Sequence, residues 1–348
     1  MKYYLLLFVS LSLFGTPKVC VVPDYIGYVT TMFPEDPLDA YGNLGVWGKI
    51  KYRLQEQGYT IEGSDLSEFS GESTDILQIM HSRSGAVEKI VLLNVPYYVG
   101  IPSLASYPEG SLFLYVFEPP SVEPYLHTDE YYSYFSKVFT WDDSRVNGDK
   151  FVKFYYPVMY RMKDTLVPFE ERTLCTMIAR NKRSTYKDEI YSERLKAIAF
   201  FEKRHSSDFD LYGYGWESLP LKTYKGSIED KYAVLRAYKF SICFENTTNI
   251  PGYITEKIFD CFHCGVVPVY LGASNVDSYI PKECFIDMRD FDSYEELYEF
   301  MNQMDESEYN EYLSAIRSFL ETDMAKRFSD EFFVQTFLEE VVGISHTE

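Results

Sequence analysis

The sequence predicts an α/β chain built as two doubly wound parallel sheets that face each other across a cleft. Three observations carry this. Short apolar runs bounded by turn-forming residues alternate with segments of helical spacing, and the alternation occurs twice along the chain. A polar stretch, Lys163–Arg172, separates the two series and reads as a linker. With 348 residues, 46% of them hydrophobic, the chain is long enough to bury a core in each half.

Taken in order, Lys2 precedes an apolar run from Tyr3 to Phe14, which has the length of a signal-peptide hydrophobic region and is too short to cross a bilayer. Residues 1–16 are therefore expected to be a translocation signal or membrane-associating segment, which places the chain at a membrane, in a secretory pathway or at a cell envelope. The alternative is a first strand and a cytoplasmic chain. Residues 17–162 form the first expected domain. Lys18–Val22 reads as a buried strand, and Val46, Trp47, Ile50 and Leu54 fall at helical spacing up to a stop at Gly58. Apolar runs at Asp75–Met80, Lys89–Val95, Ser111–Phe117 and Lys137–Trp141 read as central strands. The second expected domain, residues 173–348, restarts with strand Leu174–Ala179, helix Ser192–Lys203, strand Leu211–Tyr214, helix Asp230–Tyr238 and strand Phe240–Phe244. Helix Thr255–Cys264, strands Val266–Leu271 and Cys284–Ile286, and helices near Tyr294–Met304, Glu308–Phe319 and Ala325–Val342 complete it.

The formal net charge is −20, a field that repels nucleic acid and anionic lipid. Cations that bind a phosphate ester must therefore be locally concentrated. The six cysteines lack the spacing of a disulfide scaffold. Cys261 and Cys264 form a C-x-x-C without a second pair and read as helix-packing thiols ahead of Gly265. None of His81, His127, His205, His263 and His346 stands at triad spacing from a Ser or Cys, so nucleophilic hydrolysis has no support.

The densest chemistry lies between Tyr238 and Gly272. A buried strand ends in Phe244-Glu245-Asn246, a loop follows, and a helix opens at Tyr253-Ile254-Thr255-Glu256-Lys257. Helix N-termini favour anions, and a lysine in the first turn opposes the dipole unless a bound anion compensates it. A diphosphate would do so, with Glu256 accepting from ribose hydroxyls. The same residues also fit plain capping, with Thr255 as N-cap and Glu256 and Lys257 as a solvated pair. Local physics leaves both readings open. In the first half, Glu118 ends a strand and is followed by Pro119-Pro120, which holds it out of regular structure and aims it into the cleft; the alternative is a hydrogen bond that orders the loop at the strand end.

From Lys239 to Gly272 the chain resembles the signature of α-1,3-fucosyltransferases: a Lys-Phe strand into Phe-Glu-Asn, a Tyr-x-Thr-Glu-Lys helix start, and Val-Pro-Val-x-x-Gly. Ile178-Ala179-Arg180-Asn181, Ser192-Glu193-Arg194-Leu195, Asp210-Leu211-Tyr212-Gly213, Phe117-Glu118-Pro119-Pro120-Ser121 and Phe139-Thr140-Trp141 are similar to flanking parts of the pattern. The resemblance runs from about residue 111 to residue 300. Arg180 stands where the family usually has Ser, Thr247 replaces Ser, and Cys264-Gly265 replaces a small residue and Gly.

The resemblance implies a GT-B fold with the donor nucleotide on the second domain and the acceptor approached from the first. It implies transfer of fucose from GDP-fucose to a glycan hydroxyl with inversion, in α-1,3 linkage to an N-acetylglucosamine or glucose unit. Arg194 and Lys257 would neutralise the diphosphate, Glu256 would hold the ribose, Tyr253 and Asn246 would line the pocket, and Glu245 belongs to the same donor-binding set. Glu118 would take the proton from the attacking hydroxyl. No cofactor or metal is required on this reading, because fixed cations stabilise the departing diphosphate. Asp208-Phe209-Asp210 and Asp290-Phe291-Asp292 spell the manganese motif of another glycosyltransferase fold, but such triplets arise easily in so acidic a chain. Alternatives are a transferase of this architecture using another GDP-sugar, and a catalytically silent protein that binds glycan or nucleotide. Asn246-Thr247-Thr248 is a glycosylation sequon that would face the donor.

Overall fold

The computed structural model describes residues 17–23, 43–63, 87–94, 104–105 and 107–344. The apolar runs Tyr3–Phe14 and Asp75–Met80 lie outside these residues. In the first half, strands β1 (Lys18–Pro23), β2 (Thr60–Gly63), β3 (Val87–Leu93), β4 (Leu112–Tyr115), β5 (Lys137–Thr140) and β6 (Phe151–Lys153) form one sheet in the order β2-β1-β3-β4-β5-β6. Every described pairing in it is parallel. In the second half, β7 (Thr173–Ile178), β8 (Phe209–Tyr212), β9 (Tyr238–Ile242), β10 (Val267–Tyr270) and β11 (Ile286–Asp287) form a parallel sheet in the order β11-β10-β9-β7-β8.

The central strands are apolar on both faces because both faces are covered. Val19 and Val21 of β1, Val91 and Leu93 of β3, and Phe113 and Tyr115 of β4 point into the large core shared with the second half. Val22, Ile90, Leu92, Leu112 and Leu114 point the other way, onto Leu126, Tyr132 and Phe135. This alternation of partner, with burial throughout, is what reads in sequence as a continuous hydrophobic run.

In each sheet the first strand lies between the second and the third, so the chain reverses direction across the sheet between β1 and β3 and again between β7 and β9. Such switch points leave a crevice at the strands' carboxyl ends. The two crevices face each other across one cleft.

Helix α1 (Asn43–Glu56) covers the first sheet. Helix α2 (Asp129–Ser133) follows a short turn, and α3 (Tyr191–Arg204), α4 (Lys231–Leu235) and α5 (Glu256–Cys264) belong to the second half. Asp230 caps α4 by accepting from the N–H groups of Tyr232 and Ala233, and the helix stops at Leu235 because Tyr238 already belongs to β9. The expected helix Asp230–Tyr238 is thus shorter. Gly265, at φ 62°, ends α5 in the left-handed conformation that suits glycine. The expected strand Cys284–Ile286 is a single 3-10 turn, Lys282–Cys284, followed by β11.

Helices α6 (Tyr294–Gln303), α7 (Glu306–Leu320), α8 (Asp323–Lys326) and α9 (Asp330–Phe337) close the described chain, α9 running into one π turn at Leu338–Val342. The single helix expected over Ala325–Val342 breaks where Ser329 accepts from the Phe332 N–H and starts α9. That helix does not stay with the second sheet. Phe333 and Phe337 pack edge-on against Trp47 of α1, at ring centroid distances of 5.8 and 5.9 Å, and the last described residues therefore cover the first half.

The expected linker is also more than a polar tether. Arg172, at its end, is buried and donates to the backbone carbonyls of Val167, Tyr238 and Gly265 and to the Tyr309 hydroxyl. Further contacts stitch the halves beside the cleft. Asp143 accepts from Asn275 Nδ2 at 2.9 Å, from the Tyr279 hydroxyl at 2.6 Å and from Lys153 at 2.7 Å. Gly252, at φ 83°, passes so close that any side chain there would overlap the Trp141 carbonyl. Among the described residues no helix is long and apolar enough to cross a membrane.

Candidate active site

The cleft between the sheets encloses about 830 Å³. Its walls come from the carboxyl ends of β3 and β4 on one side and of β7 and β9 on the other, together with the first turns of α3 and α5. Six of the residues singled out from sequence line it: Glu118, Arg194, Asn246, Tyr253, Glu256 and Lys257.

Glu245 does not touch the cleft. Its side chain is fully buried and its oxygens are taken by the Thr255 N–H at 2.9 Å, the Thr255 hydroxyl at 2.8 Å and Lys257 Nζ at 3.1 Å. Glu245, expected in the donor-binding set, therefore lies behind the cleft wall and anchors Thr255 and Lys257. The reason is local. The strand β9 runs on beneath the start of α5, so the side chain of Glu245 is aimed under the helix, and a buried carboxylate must be paired.

The plain capping reading of the helix start does not hold. Thr255 occupies the N-cap position of α5 but its side chain makes no capping hydrogen bond, because its hydroxyl donates to Glu245. Lys257 is not solvated either. Burial pulls its pKa down, and the charges of Glu245 and Glu256 more than reverse this, so it stays protonated. Glu256 sits 3.6 Å from the same ammonium and remains a third exposed to the cleft. Burial opposes its ionisation, and the nearby charges of Lys257 and Lys231 outweigh that and lower its pKa.

Arg194, on α3, is only 7% exposed. One terminal nitrogen donates to the carbonyls of Phe244 and Glu245 and to Asn246 Oδ1, at 2.7, 2.6 and 3.0 Å, and the guanidinium carbon lies 5.0 Å from the centre of the Tyr191 ring. Its other nitrogens have no hydrogen-bond partner among the described residues, which leaves an oriented fork for an anion in the cleft. Asn246 is thereby held by its side chain. Its own carbonyl accepts from the Ser121 hydroxyl of the first half at 2.9 Å. Tyr253 is buried and packs its ring 4.5 Å from Trp141.

Glu118 follows β4 by way of Phe117, and side chains from separate parts of the first half fix the backbone around it. Asn94 Oδ1 accepts the N–H groups of both Phe117 and Glu118, at 2.7 and 3.0 Å. The Phe117 carbonyl accepts from Trp141 Nε1 and from the Tyr156 hydroxyl. The Glu118 carbonyl accepts from His127 Nε2 at 3.0 Å, which assigns the proton to that nitrogen, and the Tyr132 hydroxyl then donates to Nδ1 at 3.3 Å. Burial pushes the His127 pKa down to about 4, so the ring is neutral. Asn94, at φ 53° and buried, adopts the left-handed conformation in order to face both groups. Sequence reasoning did not find Asn94 or His127. The only signal was their type: an Asn directly after an apolar strand, and a His without a nucleophile.

Of the first D-x-D triplet, both carboxylates are engaged away from the cleft. Asp210 accepts from the Tyr238 hydroxyl and pairs with Lys225, and Asp208 accepts from Tyr298. Cys261 and Cys264 are buried. Among the described residues no group of three or more acidic, His or Cys side chains stands in a metal-binding arrangement.

Residues 170–332 match the family model described as glycosyltransferase family 10 (fucosyltransferase) C-term. The chain carries a family 10 fucosyltransferase domain. It is 29% identical over 145 residues to 4-galactosyl-N-acetylglucosaminide 3-alpha-L-fucosyltransferase 9 of Mus musculus, covering 40% of this chain and 35% of that protein. It is 31% identical over 90 residues to an alpha-(1,3)-fucosyltransferase of Helicobacter pylori, covering 26% of this chain and 18% of that one. The match thus spans about a third or less of these relatives' length. Among solved structures, an alpha1,3-fucosyltransferase with GDP aligns over 95% of this chain and 92% of its own, at 14% identity and a TM-score of 0.51. An alpha-glucosyltransferase in complex with UDP and DNA aligns over 94% and 100%, at 12% identity and a TM-score of 0.54. The fold is GT-B, and the family 10 domain supplies its second sheet and the cleft wall that bears Arg194, Glu256 and Lys257.

Proposed function

We propose that this chain is an inverting glycosyltransferase that moves fucose from GDP-fucose to a hydroxyl of a glycan, in α-1,3 linkage to an N-acetylglucosamine or glucose unit. One observation carries the reading: a single cleft brings Glu118, on the first half, opposite Arg194, Glu256 and Lys257 on the second. The family 10 domain, the α-1,3-fucosyltransferases among its relatives and the GDP held by a solved neighbour of the same fold support it.

On this reading the diphosphate lies at the first turn of α5, between Lys257 and the free nitrogens of Arg194, with the ribose on Glu256. As the bond from the sugar C1 to the phosphate oxygen lengthens, charge grows on the departing GDP and the two cations meet it. Glu245 keeps Lys257 in place, so little reorganisation is needed. The acceptor oxygen attacks C1 from the opposite face and gives its proton to the Glu118 carboxylate, which leaves inverted glycoside, GDP and a protonated Glu118. Fixed cations take the place of a metal. We further propose that the apolar run near the N-terminus directs or tethers the chain to a membrane or secretory pathway.

The test is an acceptor array with GDP-fucose and the purified chain, the product linkage read by NMR. Transfer from another GDP-sugar but not from GDP-fucose would overturn the sugar assignment. Nucleotide binding without transfer or hydrolysis would mark a silent binding protein.

A further inference from the structure

The donor side of the cleft holds a carboxylate and an ammonium that the reaction above leaves unused. Asp260 lies one turn beyond Glu256 on α5, on the same face, and both line the cleft. Lys231, the first residue of α4, reaches across to place Nζ 2.7 Å from Asp260 Oδ2. The three charges are close enough to interact: Lys231 favours ionisation of both carboxylates, and Glu256 opposes ionisation of Asp260. Asp260 is 8% exposed, and burial raises its pKa to about 6, so at neutral pH it is ionised and offers only acceptors. A pair made only to hold α4 against α5 has no need to open onto the cleft.

A nucleotide whose ribose rests on Glu256 extends its base along α5. Four residues of helix advance about 6 Å, so a base running in that direction would meet Asp260. There the wall presents a carboxylate, which already accepts from Lys231 and from the Tyr232 hydroxyl and keeps further lone pairs, and an ammonium that can donate. Guanine is the base whose edge is their complement: its N1–H and 2-amino group donate and its O6 accepts. Hypoxanthine lacks the 2-amino donor. Uracil turns a carbonyl toward the carboxylate, and adenine turns an amino group toward the ammonium.

We propose that Asp260 and Lys231 read the nucleobase, Asp260 accepting from N1–H and the 2-amino group of guanine and Lys231 donating to O6. The inference rests on the donor being a nucleoside diphosphate sugar held as described above, and it makes the choice of guanine a property of these two side chains.

The experiment is calorimetric binding of GDP, IDP, ADP and UDP to the full chain and to Asp260→Asn and Lys231→Met. The wild type should bind GDP roughly 10- to 100-fold tighter than IDP, the range for one hydrogen bond to a charged group, and ADP and UDP more weakly still. In Asp260→Asn the preference for GDP over IDP should collapse toward unity. In Lys231→Met both nucleotides should bind less tightly, since the donor to O6 is lost and Asp260 loses the cation that favours its ionised form. The wild-type series stands even if a variant does not fold. Preference for GDP over IDP that survives Asp260→Asn, or its absence in a wild type that still prefers GDP to UDP, overturns the base reading alone. Binding of UDP or ADP as tight as that of GDP overturns the guanosine donor as well.

Discussion

The carboxylate of Glu245, with no exposed surface, lies 3.1 Å from the ammonium of Lys257, which is a quarter exposed to the cleft. One partner is buried behind the cleft wall and the other lines the cleft, so on the proposed reading the two roles separate on mutation. Lys257→Ala should weaken GDP binding by about 1.5–3 kcal/mol, the worth of a charge-assisted hydrogen bond. It should also destabilise the protein, by up to about 3 kcal/mol, because it leaves Glu245 buried and uncompensated. Adding Glu245→Gln to Lys257→Ala should restore part of the stability and none of the GDP affinity. Calorimetry and denaturant unfolding of the single and double variants check this; equal GDP affinity in wild type and Lys257→Ala would remove Lys257 from the site.

The second half was legible because its chemistry is contiguous. Strand, loop and helix start lie within Tyr238–Lys257, and burial of each apolar run is written in its composition. The role of Glu245 was not legible, since the same Phe-Glu-Asn text fits a side chain aimed at the cleft or under α5, and only the register of β9 against β10 decides. In the first half the site is assembled from distant positions. Asn94 and His127 meet Glu118 from separate elements, and no spacing along the chain announces that meeting. Arg172 misled for the converse reason: in a polar stretch it reads as solvated, yet its guanidinium is used up by buried carbonyls.

His127 makes stability depend on pH. Its folded pKa, about 4, is below the unfolded value of about 6.5, so the unfolded chain binds the extra proton between them. Its contribution is complete above pH 6.5 and is lost as pH falls toward 4. Between pH 7 and pH 5 the loss amounts to about 2 kcal/mol. His127→Gln, which keeps a donor for the Glu118 carbonyl, should flatten this part of the profile. Unfolding curves at the two pH values decide it; an equal drop in both proteins would assign the acid sensitivity elsewhere.

The cations at the donor end bear on metal dependence. If Lys257 and Arg194 carry the charge of a departing diphosphate, as proposed, turnover should persist in excess chelator. Complete loss, restored by manganese and not by neutral salt, would move the charge stabilisation to a metal and promote Asp208 and Asp210 or Asp290 and Asp292 as ligands.

Residues 1–16 precede β1, an interior strand of the first sheet that begins at Lys18. Their deletion should leave a folded chain that binds GDP, with any membrane association lost. A deletion variant that fails to fold would show that the apolar run belongs to the core.

Glu118 carries the chemistry of the proposal, and its surroundings separate a catalytic from a structural role. Every backbone polar group of Phe117 and Glu118 is already engaged, by Asn94, Trp141, Tyr156 and His127, and these bonds hold the backbone on either side of the carboxylate. Glu118→Gln should therefore keep the melting temperature and the GDP affinity of the wild type. Turnover should fall by about 10²–10⁴, the usual worth of a positioned general base. Glu123 lines the same cleft and is the nearest rival; Glu123→Gln should retain turnover. Asn94→Ala frees the N–H groups of Phe117 and Glu118 and should lower turnover at saturating acceptor while sparing GDP binding, because the carboxylate is then present but poorly aimed. Steady-state kinetics at saturating acceptor distinguish the cases. A stable Glu118→Gln enzyme with near-normal turnover would end the general-base assignment, and loss confined to Glu123→Gln would transfer it there.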